Sequence, residues 1–219
     1  DAFRKGLVVK NVADQASPPK SSSTKPPTPD VWTSGQLGQF LNHPQVTGSD
    51  HHPLLLTAAM TGMRRGELCG LGWDQIDLTG CTIEVTRNLT ITNGLVLLGE
   101  PKTRRGRRSI DIDTRTADTL KARRLEQVKH RLAMGKGWQD EHGLVFTMAD
   151  GSPWRPDHVS RQFGRLVNQT GLAALPFHGL RHSHATHLLA AGENPKLVSQ
   201  RLGHSTVAFT LDTYAHVLP

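Results

Sequence analysis

The chain has 219 residues, 36% of them hydrophobic, and its 26 lysines and arginines outnumber 19 acids to give a formal net charge of +7. Its longest apolar stretch, residues 54–60, is broken by Thr57, and nothing approaches the roughly 20 apolar residues of a membrane-crossing helix. The two cysteines, Cys69 and Cys81, lack disulfide-framework and metal-ligand spacing, and the excess of cations suits a polyanionic partner whose neutralised phosphates release counterions.

Residues 1–10 are too short to fold alone and read as the tail of an upstream domain. A Pro/Ser/Thr/Lys-rich stretch follows to residue 30, with Pro18, Pro19, Pro26, Pro27 and Pro29, and predicts an extended linker. With Asp1 first and no signal-peptide pattern, the chain reads as a soluble fragment of something longer. Periodicity begins after the linker. Thr33 or Ser34 caps a predicted helix through Leu41, a second covers 53–60 with Gly62 as its stop, and 64–71 suits one or two further turns.

From Cys81 the period changes. Ile83 and Val85 alternate with polar neighbours, and Asn93-Gly94 before Leu95 signals a hairpin. A basic stretch from Lys102 to Arg108 precedes Ile110 and Ile112, which alternate with Asp111 and Asp113. That pattern predicts another strand pair with the cations at its turn. Helical patterns then cover 116–134, 157–170 and 178–191, the last stopped by Gly192. Asn194 caps a helix with Pro195 in its first turn, closing at Gly203, and Ser205 starts the last one. The fold class is α+β: a mainly α-helical domain over 31–219 with a small antiparallel sheet inserted among its helices.

Four features carry chemistry. The only tyrosine, Tyr214, shares a helix face with Val207 and Leu211; such a residue ordinarily packs its ring in a core and hydrogen-bonds its hydroxyl. His178 and Arg181, at i and i+3, present a hydrogen-bond donor and a guanidinium fork to one side of a helix. His182, His184 and His187 invite a zinc reading, but the pairs lie on different faces and no ligand cluster supports them. Arg64, just after a glycine turn, can be oriented by Glu67 three residues on, although such pairs also occur as ordinary surface contacts. Leu202-Gly203-His204 sets a histidine at a helix end ten residues before Tyr214.

Taken in order, Thr61 to Leu68, Lys102 in a hairpin, His178 to His182, Leu202 to His204 and Tyr214 resemble the marks of the tyrosine recombinase (phage integrase) family. The resemblance runs from Val31 to Leu218. It implies that Tyr214 attacks a DNA phosphodiester, leaving a 3′-phosphotyrosine and a free 5′-hydroxyl, with rejoining that needs no ATP. Arg64 and Arg181 would bind the non-bridging oxygens. His178 would help bind the phosphate and accept the nucleophile's proton, His204 would donate a hydrogen bond to it, Lys102 would protonate the leaving oxygen, and Glu67 would support the architecture. Arg104, Arg105, Arg107 and Arg108 are expected on the DNA backbone. The partner implied is double-stranded DNA, with a homotetramer and accessory DNA-bending or directionality proteins, and with neither cofactor nor metal. Site-specific recombination leads the readings; type IB topoisomerase-like relaxation and a non-catalytic DNA-binding module are the alternatives.

Overall fold

The computed structural model describes residue 6, residues 30–100 and 106–215, and residue 217. The expected tail and linker (apart from Gly6 and Asp30) lie outside the described residues, as do Lys102, Arg104 and Arg105.

The first helix, α1 (Ser34–Asn42), opens on a reciprocal cap in which the Thr33 hydroxyl accepts from the Gln36 backbone N–H and Thr33 N–H donates to the Gln36 side chain. A single turn, α2 (Pro44–Thr47), follows, too short to leave a periodic signal. Helix α3 (His52–Thr61) is apolar around most of its circumference: Leu54, Leu55, Leu56, Ala58 and Ala59 are all buried. A helix of that kind belongs in the middle of a domain, each buried leucine contributing about 1.5–3 kcal/mol. Gly62, in the left-handed region, ends it, and α4 (Arg65–Cys69) begins three residues later.

Strands β1 (Ile76–Asp77), β2 (Thr82–Val85) and β5 (Arg108–Asp111) form one antiparallel sheet in the order β1-β2-β5. Strands β3 (Asn88–Thr92) and β4 (Leu95–Gly99) form a separate two-stranded sheet. Their turn is the expected one: Asn93 and Gly94 both have positive φ, as a two-residue hairpin requires. The pairing of β5 corrects the sequence expectation. It joins β2, skipping the hairpin, because the register Ile83↔Ile110 buries two side chains together, at 0% and 1% exposure.

Among the described residues, helices α5 (Thr114–Met134), α6 (Pro156–Thr170), α7 (Phe177–Ala190), α8 (Pro195–Leu202) and α9 (Val207–Tyr214) complete the fold. Asn194 caps α8 as expected; α9 is capped by Thr206, one residue past Ser205. The main core gathers α3, β2, β5 and α6, while Ala185, Leu189, Val198, Leu202 and Tyr214 form a smaller core where α7, α8 and α9 meet. Among the described residues no helix is long and apolar enough to cross a membrane.

Candidate active site

Two helix C-termini meet behind the site. Their last carbonyls lack intrahelical partners and carry the negative end of the helix dipole, which favours cations. Gly62 closes α3 at φ 65° and Gly203 closes α8 at φ 68°. Arg181, reaching from α7, donates Nη1 to the Gly62 carbonyl at 2.7 Å and Nη2 to the Leu202 carbonyl at 2.8 Å. Arg64 donates Nη2 to the Gly203 carbonyl at 2.8 Å and Nη1 to Glu67 Oε1 at 2.8 Å. The approach of α3, α7 and α8 is close: a Cβ on Gly62 would lie 2.7 Å from a Leu202 methyl and 2.8 Å from the His184 ring.

Glu67 ties the arginines together. Its carboxylate accepts from the Arg64 backbone N–H and guanidinium, and from Arg108 Nη1 and Nη2 at 3.1 and 2.9 Å. Burial alone would raise its pKa, but the hydrogen bonds and charge of Arg108, with Arg64, hold it below the usual carboxylate range. Three guanidiniums against this one carboxylate leave the cluster cationic, suited to a phosphate. Burial, then repulsion by Arg64, draws Arg181 down to about 9, still charged at neutral pH.

Tyr214 is 1% exposed, and its hydroxyl lies 2.8 Å from Nδ1 of His182. Burial pushes the phenol up to about 12 against the opposing pull of Arg181. His178 stands one turn before His182, their rings edge to face at 4.7 Å. Its surface opens onto solvent, yet the protein atoms around the ring, then His182 and Arg181, lower it to about 4. His204 is buried, with Nδ1 2.7 Å from the Thr210 hydroxyl, and burial with the nearby arginines takes it to about 3. All these imidazoles are neutral at pH 7. A groove of about 1040 Å³, lined by Arg64, Arg65, Asn88, Arg155, Ser160 and His178 among others, leads to the cluster from solvent.

Of the sequence-predicted residues, Arg64, Glu67 and Arg181 are held in one hydrogen-bonded assembly through the ends of α3 and α8, with His178 on the same face of α7 as Arg181. Arg107 is exposed and ion-paired with Glu100. Arg108, expected on the DNA backbone, has its side chain turned into the protein. Its side chain is 6% exposed, and besides Glu67 it donates to the Arg201 and Gly106 carbonyls, because the β2–β5 register turns it inward. Two partners were missed, Arg108 for Glu67 and His182 for Tyr214. The first contact spans 41 residues and the second 32, beyond any local periodicity. Among the described residues no group of three or more His, Cys, Asp or Glu side chains could hold a metal ion.

Known proteins match this chain along most of its length. A protein named "Tyrosine recombinase XerC-like" from Caldanaerobacter subterraneus subsp. tengcongensis is 32% identical over 177 residues, covering 76% of this chain and 45% of that protein. An integrase from Streptomyces ambofaciens is 31% identical over 219 residues, covering 97% and 55% respectively. The chain thus spans about half the length of these curated relatives. The structure of the Tn1549 transposon integrase in complex with a circular intermediate DNA superposes with a TM-score of 0.72 at 26% identity, covering 98% of this chain and 70% of that one. XerA recombinase shares the fold, with a TM-score of 0.67. The sequence model described as "Phage integrase family" matches residues 31–219. The family model over residues 31–219, with these relatives and the shared fold, leaves one assignment: the chain belongs to the phage integrase family.

Proposed function

We propose that residues 31–219 are the catalytic domain of a site-specific DNA recombinase, in which Tyr214 attacks a backbone phosphate held by Arg64 and Arg181. The observation that carries this reading is the cationic cluster at the paired ends of α3 and α8, adjoining the core that holds the chain's only tyrosine. The Arg64 side chain is 40% exposed beside the groove, so a non-bridging oxygen can reach it without unfolding anything. Arg181 holds its guanidinium flat between two helix ends, prepared for charge that grows as the phosphorus becomes five-coordinate. His178 opens toward the same groove, and His204, whose Nδ1 lies 2.7 Å from the Thr210 hydroxyl of α9, is the proposed donor of a hydrogen bond to the phosphate. Lys102 is the proposed donor of a proton to the leaving 5′ oxygen. Glu67 holds Arg64 in place and does not react.

The described conformation keeps Tyr214 covered, so attack requires α9 to shift on the small core. The phosphotyrosine bond conserves the energy of the broken phosphodiester, and rejoining is the reverse attack by a 5′-hydroxyl. The partner is double-stranded DNA, the working assembly a homotetramer with accessory proteins, and the setting the cytoplasm. A library of nicked duplexes with a randomised centre tests the reading by capture of protein–DNA adducts on denaturing gels. Adducts are expected from the unmutated chain in excess EDTA, and none from Tyr214→Phe, whose DNA affinity stays within about twofold because only a hydroxyl is lost. An undiminished adduct yield from Tyr214→Phe would sink the assignment.

A further inference from the structure

We infer that His182, rather than His178, accepts the proton of Tyr214 during strand cleavage, an inference that rests on the recombinase reading above. The contact is direct: Nδ1 of His182 and the Tyr214 hydroxyl are 2.8 Å apart. Phosphate bound by Arg181 and His178 lies on the same side of α7, since positions 178, 181 and 182 share one helical face. A movement of α9 that brings the hydroxyl to that phosphate therefore runs along the face that carries His182.

A base is needed there. A phenol at about 12 is ionised only about one part in 10⁵ at pH 7, so attack by spontaneous phenolate is slow. His182 is half-buried, and burial followed by the charge of Arg181 lowers its pKa from the ordinary 6.5, which leaves the imidazole unprotonated and able to accept. Full transfer before attack is uphill, so the proton moves with bond formation, as general-base catalysis requires. The Oη–H bond breaks as the Oη–P bond forms, and the proton goes to Nδ1, leaving an imidazolium edge to face with His178. The P–O5′ bond breaks, and the leaving oxygen takes a proton from a lysine ammonium, the part proposed for Lys102. His178 then binds the phosphate and need not titrate.

The contact has a competing meaning, a parking place for the idle nucleophile, and two measurements separate them. Nitrogen-15 NMR of the histidine-labelled chain reads the tautomer without any variant. The inference requires Nδ1 unprotonated and hydrogen-bonded, with its shift altered in Tyr214→Phe. A proton on Nδ1 overturns it, because the ring would then donate to the phenol oxygen. The second measurement uses duplexes recovered from the adduct library. His182→Gln and His182→Asn, which offer an acceptor but no base, are expected to lose about 10²-fold or more in the adduct-forming rate with DNA affinity kept within about twofold. The His182→Gly variant should regain at least about tenfold with added imidazole. Rates within about threefold of the unmutated chain for His182→Gln would overturn the inference while leaving the nucleophile intact. Absence of adduct from the unmutated chain would instead remove the recombinase reading itself.

Discussion

Burying a carboxylate costs several kcal/mol unless opposite charges and hydrogen bonds meet it. Glu67, 2% exposed, is met by Arg64 from its own turn and by Arg108 from β5, with Arg181 of α7 contributing to the surrounding charge. Since its folded pKa lies below the ordinary 4.5, the stability it contributes is complete above that pH and fades as pH falls through the lower folded value. Arg108 is therefore expected to act as a structural partner of the site rather than as a contact to DNA. Replacing it with methionine leaves Glu67 with Arg64 alone, and urea unfolding should show a loss of about 3–5 kcal/mol. The salt dependence of DNA binding separates it from its neighbour. Arg107→Gln, from a side chain 53% exposed, should lower the slope of log affinity against log salt by about one if it touches a phosphate. Arg108→Met should leave that slope unchanged. A flatter slope for Arg108→Met would return it to the DNA surface.

At the level of elements, what could be read from the sequence is what local chemistry decides. Thr33 and Asn194 cap their helices because a side-chain oxygen two or three residues away meets an orphan N–H, and Asn93-Gly94 makes its hairpin because both residues tolerate positive φ. The β2–β5 pairing was hidden because it depends on which isoleucines are buried together across the intervening hairpin. The site was legible in the same uneven way. Arg64 with Glu67, and His178 with Arg181, are one helical turn apart, whereas His182 meets Tyr214 only once α7, α8 and α9 have packed. Two of the motif glycines now have a physical reason. Gly62 and Gly203 turn their helix ends so that carbonyls face Arg181 and Arg64. Gly62→Ala adds a Cβ against Leu202 and His184 in a left-handed conformation. It should cost about 1–3 kcal/mol in unfolding free energy and reduce adduct formation by moving the carbonyl that holds Arg181. Stability within about 0.5 kcal/mol of the unmutated chain would mean the junction of α3, α7 and α8 yields more easily than its contacts imply.

Across the whole molecule, stability should depend on pH through histidines that fold in the neutral form. His184 shows why. Its Nδ1 donates to the Ala59 carbonyl at 3.0 Å, while Nε2 accepts from Arg201 Nε at 3.1 Å, so a second proton would face a guanidinium. Burial, then Arg201, takes its pKa to about 3, and burial with the arginine cluster does the same for His204. Both values are depressed from 6.5, so between pH 6.5 and about 3 the unfolded chain binds more protons than the folded one. The stabilisation is therefore complete above pH 6.5 and is lost progressively as pH falls. Each such histidine changes the unfolding free energy by at most about 1.4 kcal/mol per pH unit, and because the unfolded rings are only half protonated at pH 6.5, two of them remove about 3 kcal/mol between pH 6.5 and pH 5. That is a large share of the 5–15 kcal/mol of a typical domain. Urea titrations at pH 7.5, 6 and 5 measure it directly. His184→Gln can still donate to Ala59 and accept from Arg201, and should remove about one proton from the pH slope while keeping the fold at pH 7.5. Equal stability of the unmutated chain at pH 5 and 7.5 would mean that these rings accept a proton without unfolding. The neutral frame of histidines and helix ends that holds Arg181 in place would then need a different account.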